Sequence, residues 1–143
     1  MKQKRKISIF LPIKYNEDEL MVYLQKRSAD MEKLPNYFGF WGGGAEGDET
    51  AEEALIREIK EEMSFDININ QVELFNIYEF IRSTKSIFVF KPEDGWENKI
   101  VIGEGDYGRW LTASEALRLD SMILEDKVVI NDLERILLKK PIR

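Results

Sequence analysis

The 143-residue chain has no cysteine and no histidine. The first absence excludes disulfides, thiol nucleophiles and cysteine-ligated zinc. The second removes imidazole as a general base, a metal ligand or a member of a nucleophilic triad. No apolar run approaches the roughly 20 residues of a membrane span. The start has a basic stretch, Lys2, Lys4, Arg5 and Lys6, followed by an apolar segment over residues 7–13. That segment holds Ser8 and Pro12, ends at Lys14 and offers no small-residue cleavage site, so it reads as a first strand and not as a leader. The expectation is a cytoplasmic protein without a membrane partner. Basic charge is also short, with 21 Lys+Arg against 27 Asp+Glu and a net charge of −6, which argues against stable nucleic-acid binding. Chemistry is left to carboxylates, Lys and Arg, hydroxyls, backbone groups or an oxygen-bound metal.

What is present is an ordinary globular balance, 43% hydrophobic and 34% charged, in one domain over residues 1–143 that is large enough to bury a core. The charge is unevenly placed. Residues 43–65 hold eight acids (Glu46, Asp48, Glu49, Glu52, Glu53, Glu58, Glu61, Glu62) and two bases (Arg57, Lys60), so this stretch carries the whole net −6. Residues 39–47 hold five of the nine glycines, a density that indicates positive-φ backbone or backbone that something approaches closely.

Composition predicts strands over 6–15, 20–25, 72–80, 86–90 and 107–111, with a loop over 29–37. Helices are predicted over 50–63, 114–119 and 124–139, the first opened by a Thr50/Glu53 capping box. The last is expected to bury Leu124, Val128, Leu133, Ile136 and Leu137. Phe75, Tyr78, Phe80, Phe88 and Phe90 are expected in the core. Together these elements suggest a mixed α/β sandwich.

On a helical wheel, Glu58, Glu61 and Glu62 fall within roughly 100° of one another. Leu55, Ile56, Ile59 and Met63 form the adjacent apolar stripe, while Glu53, Lys60 and Ser64 point to solvent. Ala51 and Ala54 are small enough to leave space beside the acids. A solvated, glutamate-rich helix surface would explain the acids alone. They border the apolar stripe, however, and follow a glycine-rich loop. Three converging carboxylates repel one another unless cations sit among them, and oxygen-only ligation suits Mg²⁺, with Mn²⁺ as a substitute.

Residues 43–65 resemble the signature of the Nudix hydrolases: Gly43, Glu49, Arg57, Glu58, Ile59, Glu61, Glu62, then Ser64 in place of the usual glycine, and Phe65. The resemblance, closest to the MutT-like branch, implies a single Nudix domain, an α/β/α sandwich with a central mixed β-sheet. It also implies water attack at phosphorus on a nucleoside diphosphate linked to another group. Glu58, Glu61 and Glu62 would take the metal-ligand positions, joined by the carbonyl of Gly42, and Glu49 with Arg57 would tie loop to helix in support of catalysis. Glu104-Gly105-Asp106-Tyr107-Gly108-Arg109-Trp110 is similar to a second stretch of that branch, in which the glutamate is a metal ligand or base. Glu58 and Glu104 therefore compete as general base.

The family pattern is departed from at Trp41 (usually proline), Asp48 and Ser64 (usually glycine). A Ser64 held in a left-handed C-cap costs about 1 kcal/mol relative to glycine. Substrate contacts are expected from Gly43 and Gly44 and from a base stacked on the aromatics Tyr37, Phe38, Phe40 and Trp41, half or more of which belong to the core. Glu125 aligns with the position at which the MutT-like branch reads an oxidised guanine. The reaction implied is hydrolysis of a nucleoside triphosphate or related compound. Nucleotide sugars, capped nucleotides or ADP-ribose are alternatives within the class, and a non-catalytic nucleotide sensor is the alternative outside it. Dimers are common in the family, so a homodimer is the protein partner to look for.

Overall fold

A computed structural model describes residues 4–138. Lys2 of the basic start and Lys139 at the expected end of the last helix lie outside the described residues. Strand β1 (Arg5–Asn16) is buried without alternation from Ser8 to Ile13, as expected for a strand covered on both faces. It runs through two compact units. One comprises residues 4–12 with Phe40–Glu104, the other Ile13–Gly39 with residues 105–138.

In the first unit the strand order is β4 (Trp41–Gly44), β1, β6 (Ser83–Phe90), β5 (Val72–Glu79). β1 and β6 are parallel, with Ile9 beside Ile87, whereas β4 and β5 join as antiparallel neighbours. The sheet is therefore mixed. Helix α1 (Ala51–Met63) is tied to it where the Ser8 hydroxyl donates to the Ala51 carbonyl at 2.7 Å. Phe10, Phe65, Phe90 and Trp96 pack as an aromatic cluster, the Phe65, Phe90 and Trp96 centroids being 5.5–5.6 Å apart.

Phe88 and Phe90 are buried as expected, but Phe75, Tyr78 and Phe80 are only half-buried. The reason is position: Phe75 and Tyr78 lie on β5, the edge strand of this sheet, none of whose residues is buried, and Phe80 follows directly after it. Leu74 and Ile77 are exposed, and a register shift between Leu74 and Asn76 marks a bulge. Bulges are a common feature of strands that end a sheet.

In the second unit β2 (Glu19–Lys26) is central. The end of β1 and the short β3 (Phe38–Gly39) pair along one edge, and β7 (Tyr107–Thr112) pairs along the other, all antiparallel. Helix α2 (Ala113–Arg118) opens on a Thr112/Glu115 capping box. Of the predicted stripe, helix α3 (Leu124–Leu137) buries only Leu133. Val129, Ile130 and Leu133 are buried together with Asp126, while Leu124 (75% exposed), Val128 and Ile136 face out. Residues 126, 129, 130 and 133 form a regular i, i+3, i+4, i+7 set. The predicted stripe was anchored on the wrong residue because the true set begins with an acid.

Helices and a mixed sheet place the chain in the α/β class, as expected. Among the described residues no helix is long and apolar enough to cross a membrane.

Candidate active site

Helix α1 begins where the sequence says it should. The Thr50 hydroxyl accepts from the Glu53 N–H at 3.1 Å, and the Glu53 carboxylate accepts from the Thr50 N–H at 3.0 Å. It ends at Ser64, left-handed at φ 52°, whose N–H donates to the Lys60 carbonyl at 3.1 Å. Two further carbonyls of the last turn are taken up by a returning segment: Val101 N–H donates to Met63 at 3.0 Å and Gly103 N–H to Glu62 at 2.7 Å. Sequence reasoning missed Gly103. A side chain there would come within 2.5 Å of the Glu61 carbonyl, and the available signal was a glycine just before Glu104.

Leu55, Ile59 and Met63 are fully buried, but Ile56 is 39% exposed, against expectation. The buried arc is rotated towards the acids, so that it takes in Glu62 and Ala54 and leaves Ile56 at its far edge. Ala54 is accordingly fully buried as part of the packed arc.

The glycines are explained by close approach. A side chain on Gly43 would collide with the Glu58 carboxyl, both of whose oxygens lie within 2.6 Å of where its first carbon would be. Gly42 has φ +136°, and any side chain would run into the Ser8 carbonyl. The same Gly42 donates its N–H to Glu62 Oε1 at 2.9 Å.

Arg57 joins the loop to the helix. Its Nε and Nη2 donate to the two oxygens of Glu49 at 2.8 and 2.9 Å, a bidentate pair, and Nη2 also donates to the Gly44 carbonyl at 2.9 Å. Nη1 lies 3.0 Å from Glu58, 3.5 Å from Glu61 and 3.7 Å from Glu46. The Arg57 hydrogen bonds, with help from the Glu46 N–H, hold the Glu49 carboxyl down at about 2. The pull is reciprocal, and Glu49 raises the Arg57 guanidinium above its ordinary value.

Glu58 and Glu62 shift the other way. Burial raises Glu58, an effect opposed by Arg57 and reinforced by the charges of Glu61 and Glu104. Glu62 is 2% exposed, and burial pushes it to about 9 despite the Gly42 hydrogen bond, with Glu104, Glu58 and Glu61 adding repulsion. The cluster is short of positive charge. Among the described residues no three acidic side chains converge closely enough to hold a metal. Glu58 and Glu61 lean on Arg57, and Glu62 on Gly42. The donor chemistry, four carboxylates and a glycine backbone, is of the kind that suits a hard divalent cation. A cavity of about 480 Å³ elsewhere in this unit, lined by Phe65, Gln71, Phe90, Lys91, Glu93 and Trp96, holds none of these acids.

A glycine loop that admits a glutamate against its backbone, a Glu–Arg clamp and three acids on the next helix match the spacing of the signature residue for residue. A model of the NUDIX domain family matches residues 4–133. The chain belongs to the Nudix family. It is 30% identical over 131 residues to the dihydroneopterin triphosphate diphosphatase of Escherichia coli K12, covering 81% of this chain and 84% of that protein. It is 29% identical over 133 residues to the 8-oxo-dGTP diphosphatase of the same organism, covering 92% of this chain and 99% of the relative. A MutT/nudix family protein from Enterococcus faecalis shares the fold, with a TM-score of 0.75 and 15% identity over 96% of this chain. This chain spans 63% of that one. The family and these relatives mark the protein as a hydrolase of the MutT-like kind.

Of the residues expected at a Nudix site, the first unit brings together Gly42, Gly43, Gly44, Glu49, Arg57, Glu58, Glu61, Glu62 and Glu104. Glu104 is exposed just before β7, within electrostatic reach of Glu58 and Glu62. The stacking role expected of Phe40 and Trp41 is corrected: Trp41 is fully buried and Phe40 nearly so, and both serve as core. Glu125 lies in the first turn of α3, in the second unit. Its neighbour Asp126, at 2% exposed, is the buried acid of that turn and was not singled out in the sequence.

Proposed function

We propose that the protein is a Mg²⁺-dependent pyrophosphohydrolase that cleaves the diphosphate linkage of a nucleoside triphosphate, or a related nucleotide, by water attack at phosphorus. The observation that carries this reading is Glu62. It is a carboxyl on the Gly42 amide that is pushed towards neutrality by burial, with the charges of Glu104, Glu58 and Glu61 adding to the effect. Mg²⁺ held by Glu58, Glu61 and Glu62, with Glu104 and the Gly42 carbonyl, would neutralise the diphosphate and lower the pKa of the attacking water.

The chain's own residues do the rest. The Glu49–Arg57 clamp, with the Arg57 bond to the Gly44 carbonyl, fixes the loop that the substrate phosphates must approach. Gly43, by having no side chain, lets the Glu58 carboxyl lie directly against that loop. Glu58, kept partly out of water, and the exposed Glu104, whose charge reaches it, are the two groups suited to take the proton of the attacking water. Both named relatives act on triphosphates, which supports a triphosphate as substrate over ADP-ribose or a nucleotide sugar.

The test is a panel of nucleoside triphosphates, ADP-ribose, nucleotide sugars and dinucleoside polyphosphates with Mg²⁺. Pyrophosphate release from a triphosphate, abolished by a chelator and in Glu61→Gln and Glu62→Gln, is expected. Turnover that survives unchanged in both variants would overturn the site. Tight nucleotide binding without turnover on any compound would replace the hydrolase reading with a sensor.

A further inference from the structure

The acidic stretch is flanked by an arginine from outside it. Ile7 of β1 pairs with Gly44 of β4, so Arg5, two residues earlier, lies on the same face of the sheet as Gly44. Its guanidinium occupies the space that a side chain on Gly44 would fill. A methyl group placed there would come within 2.8 Å of Arg5 Nη2. The Gly44 carbonyl is meanwhile held by Arg57 at 2.9 Å, so one glycine carries two guanidinium groups.

The two arginines differ in what they hold. Arg57 faces Glu46, Glu49, Glu58 and Glu61 and is neutralised many times over. Arg5 is exposed and, among the described residues, makes no ion pair and no side-chain hydrogen bond. This is unexpected beside a stretch with eight acids, several of them long enough to reach a neighbouring cation. Its neighbour in the chain, Lys4, does find a carboxylate, Glu79 at 3.0 Å. A solvated arginine would need no glycine beneath it. One seated on a glycine at the approach to a diphosphate loop, with its donors uncommitted, is placed to receive an anion from outside the chain.

We propose that Arg5 binds a phosphate oxygen of the substrate as it enters along Gly43 and Gly44, and that Gly44 lacks a side chain in order to seat it. The planar guanidinium offers two parallel donors to a phosphate, and it is permanently charged. Positive charge at this point offsets the acids that a polyanionic substrate must approach. The inference rests on the diphosphate-hydrolase reading above.

The experiment compares wild type with Arg5→Ala, Arg5→Lys and Gly44→Ala. Arg82→Ala, an exposed arginine in the β5–β6 turn, serves as a charge control. Two quantities are read: KM and kcat for the triphosphate turned over best, and the calorimetric Kd for Mg²⁺-imidodiphosphate, which cannot be hydrolysed. Arg5→Ala is expected to raise both KM and Kd about tenfold, with kcat within about twofold and a shallower dependence of KM on salt. Arg5→Lys recovers part of the loss. Gly44→Ala, which displaces the guanidinium without removing it, raises KM in the same direction, and Arg82→Ala behaves as wild type.

The inference is overturned if Arg5→Ala leaves KM and Kd within twofold of wild type, or if Arg82→Ala reproduces its effect. An Arg5-dependent Kd in a protein that turns over no nucleotide would sink the hydrolase reading and keep the anion site. Turnover indifferent to Arg5 would do the reverse. A wild type that neither binds the probe nor hydrolyses any nucleotide overturns both.

Discussion

Helices α1 and α3 are nearly the same length, 13 and 14 residues, and each buries one carboxyl among aliphatic side chains. They put that carboxyl to different use. On α1 the buried Glu62 is the inner member of an acidic stripe and is driven to about 9 by burial and by three negative neighbours. On α3 the buried Asp126 sits in the first turn, where the helix N-terminus favours negative charge, and the remaining buried positions are Val129, Ile130 and Leu133. On α1 the charge arrangement is unfavourable. Such a local cost is what a binding or catalytic site is expected to show, and α3 reads as a packing element.

The sharpest way to break this contrast is to mutate one buried residue on each helix. Glu62→Gln keeps the shape and the Gly42 hydrogen bond, and should lower kcat roughly a thousandfold while leaving the melting temperature at pH 7 no lower than wild type. Leu133→Ala should do the opposite, costing about 3 kcal/mol in urea unfolding while kcat at a permissive temperature stays within a few-fold. If Glu62→Gln melts early and retains activity, the two helices have been assigned the wrong way round.

Stability against pH gives a second contrast, within the signature itself. In metal-free protein the folded state keeps the Glu62 proton up to about pH 9, whereas the unfolded chain loses it near 4.5. Stability should therefore fall as pH rises between those values, and Glu62→Gln should flatten the fall. Glu49 has the opposite sign. Its carboxyl is held at about 2, so its contribution is present above pH 4.5 and is lost as pH drops towards 2. Thermal melts in chelator from pH 3 to 9 read both arms, and added Mg²⁺ should lessen the alkaline one. An alkaline arm that persists in Glu62→Gln would assign it to another group.

Two smaller effects complete the comparison. Ser64→Gly, which relieves the left-handed cap of α1, should stabilise by about 1 kcal/mol without changing kcat. On α3, Leu124→Ser should stay within about 0.5 kcal/mol of wild type because Leu124 is mostly exposed. A larger loss would restore the stripe predicted from the sequence over the one observed.

The legible part of this protein was local. The Thr50/Glu53 box and the extent of α1 follow from residues within one or two turns of each other, where spacing fixes geometry, while the left-handed Ser64 and the Glu49–Arg57 clamp came from the resemblance to the Nudix signature. The illegible part involved neighbours distant in sequence. Phe75, Tyr78 and Phe80 have core composition, but β5 is an edge strand, and only the order of strands says so. Trp41 looked like a stacking surface beside a glycine loop and is fully buried. Helix α3 carries apolar residues on several sides, and the choice among stripes is made by what packs against it.

The sequence alone bounded the chemistry available: with no cysteine and no histidine, the chain is left with carboxylates, Lys and Arg, hydroxyls, backbone groups or an oxygen-bound metal, and its net charge is gathered in 23 residues. It also determined the family, because the signature is a set of short-range spacings. Tertiary structure decided how those charges are distributed. The fold set Glu62 out of water on the Gly42 amide, gave Arg57 four carboxylates and, among the described residues, left Arg5 on Gly44 with none. A charge's energy depends on solvent exposure and on neighbours far away in the chain, and a linear pattern encodes neither.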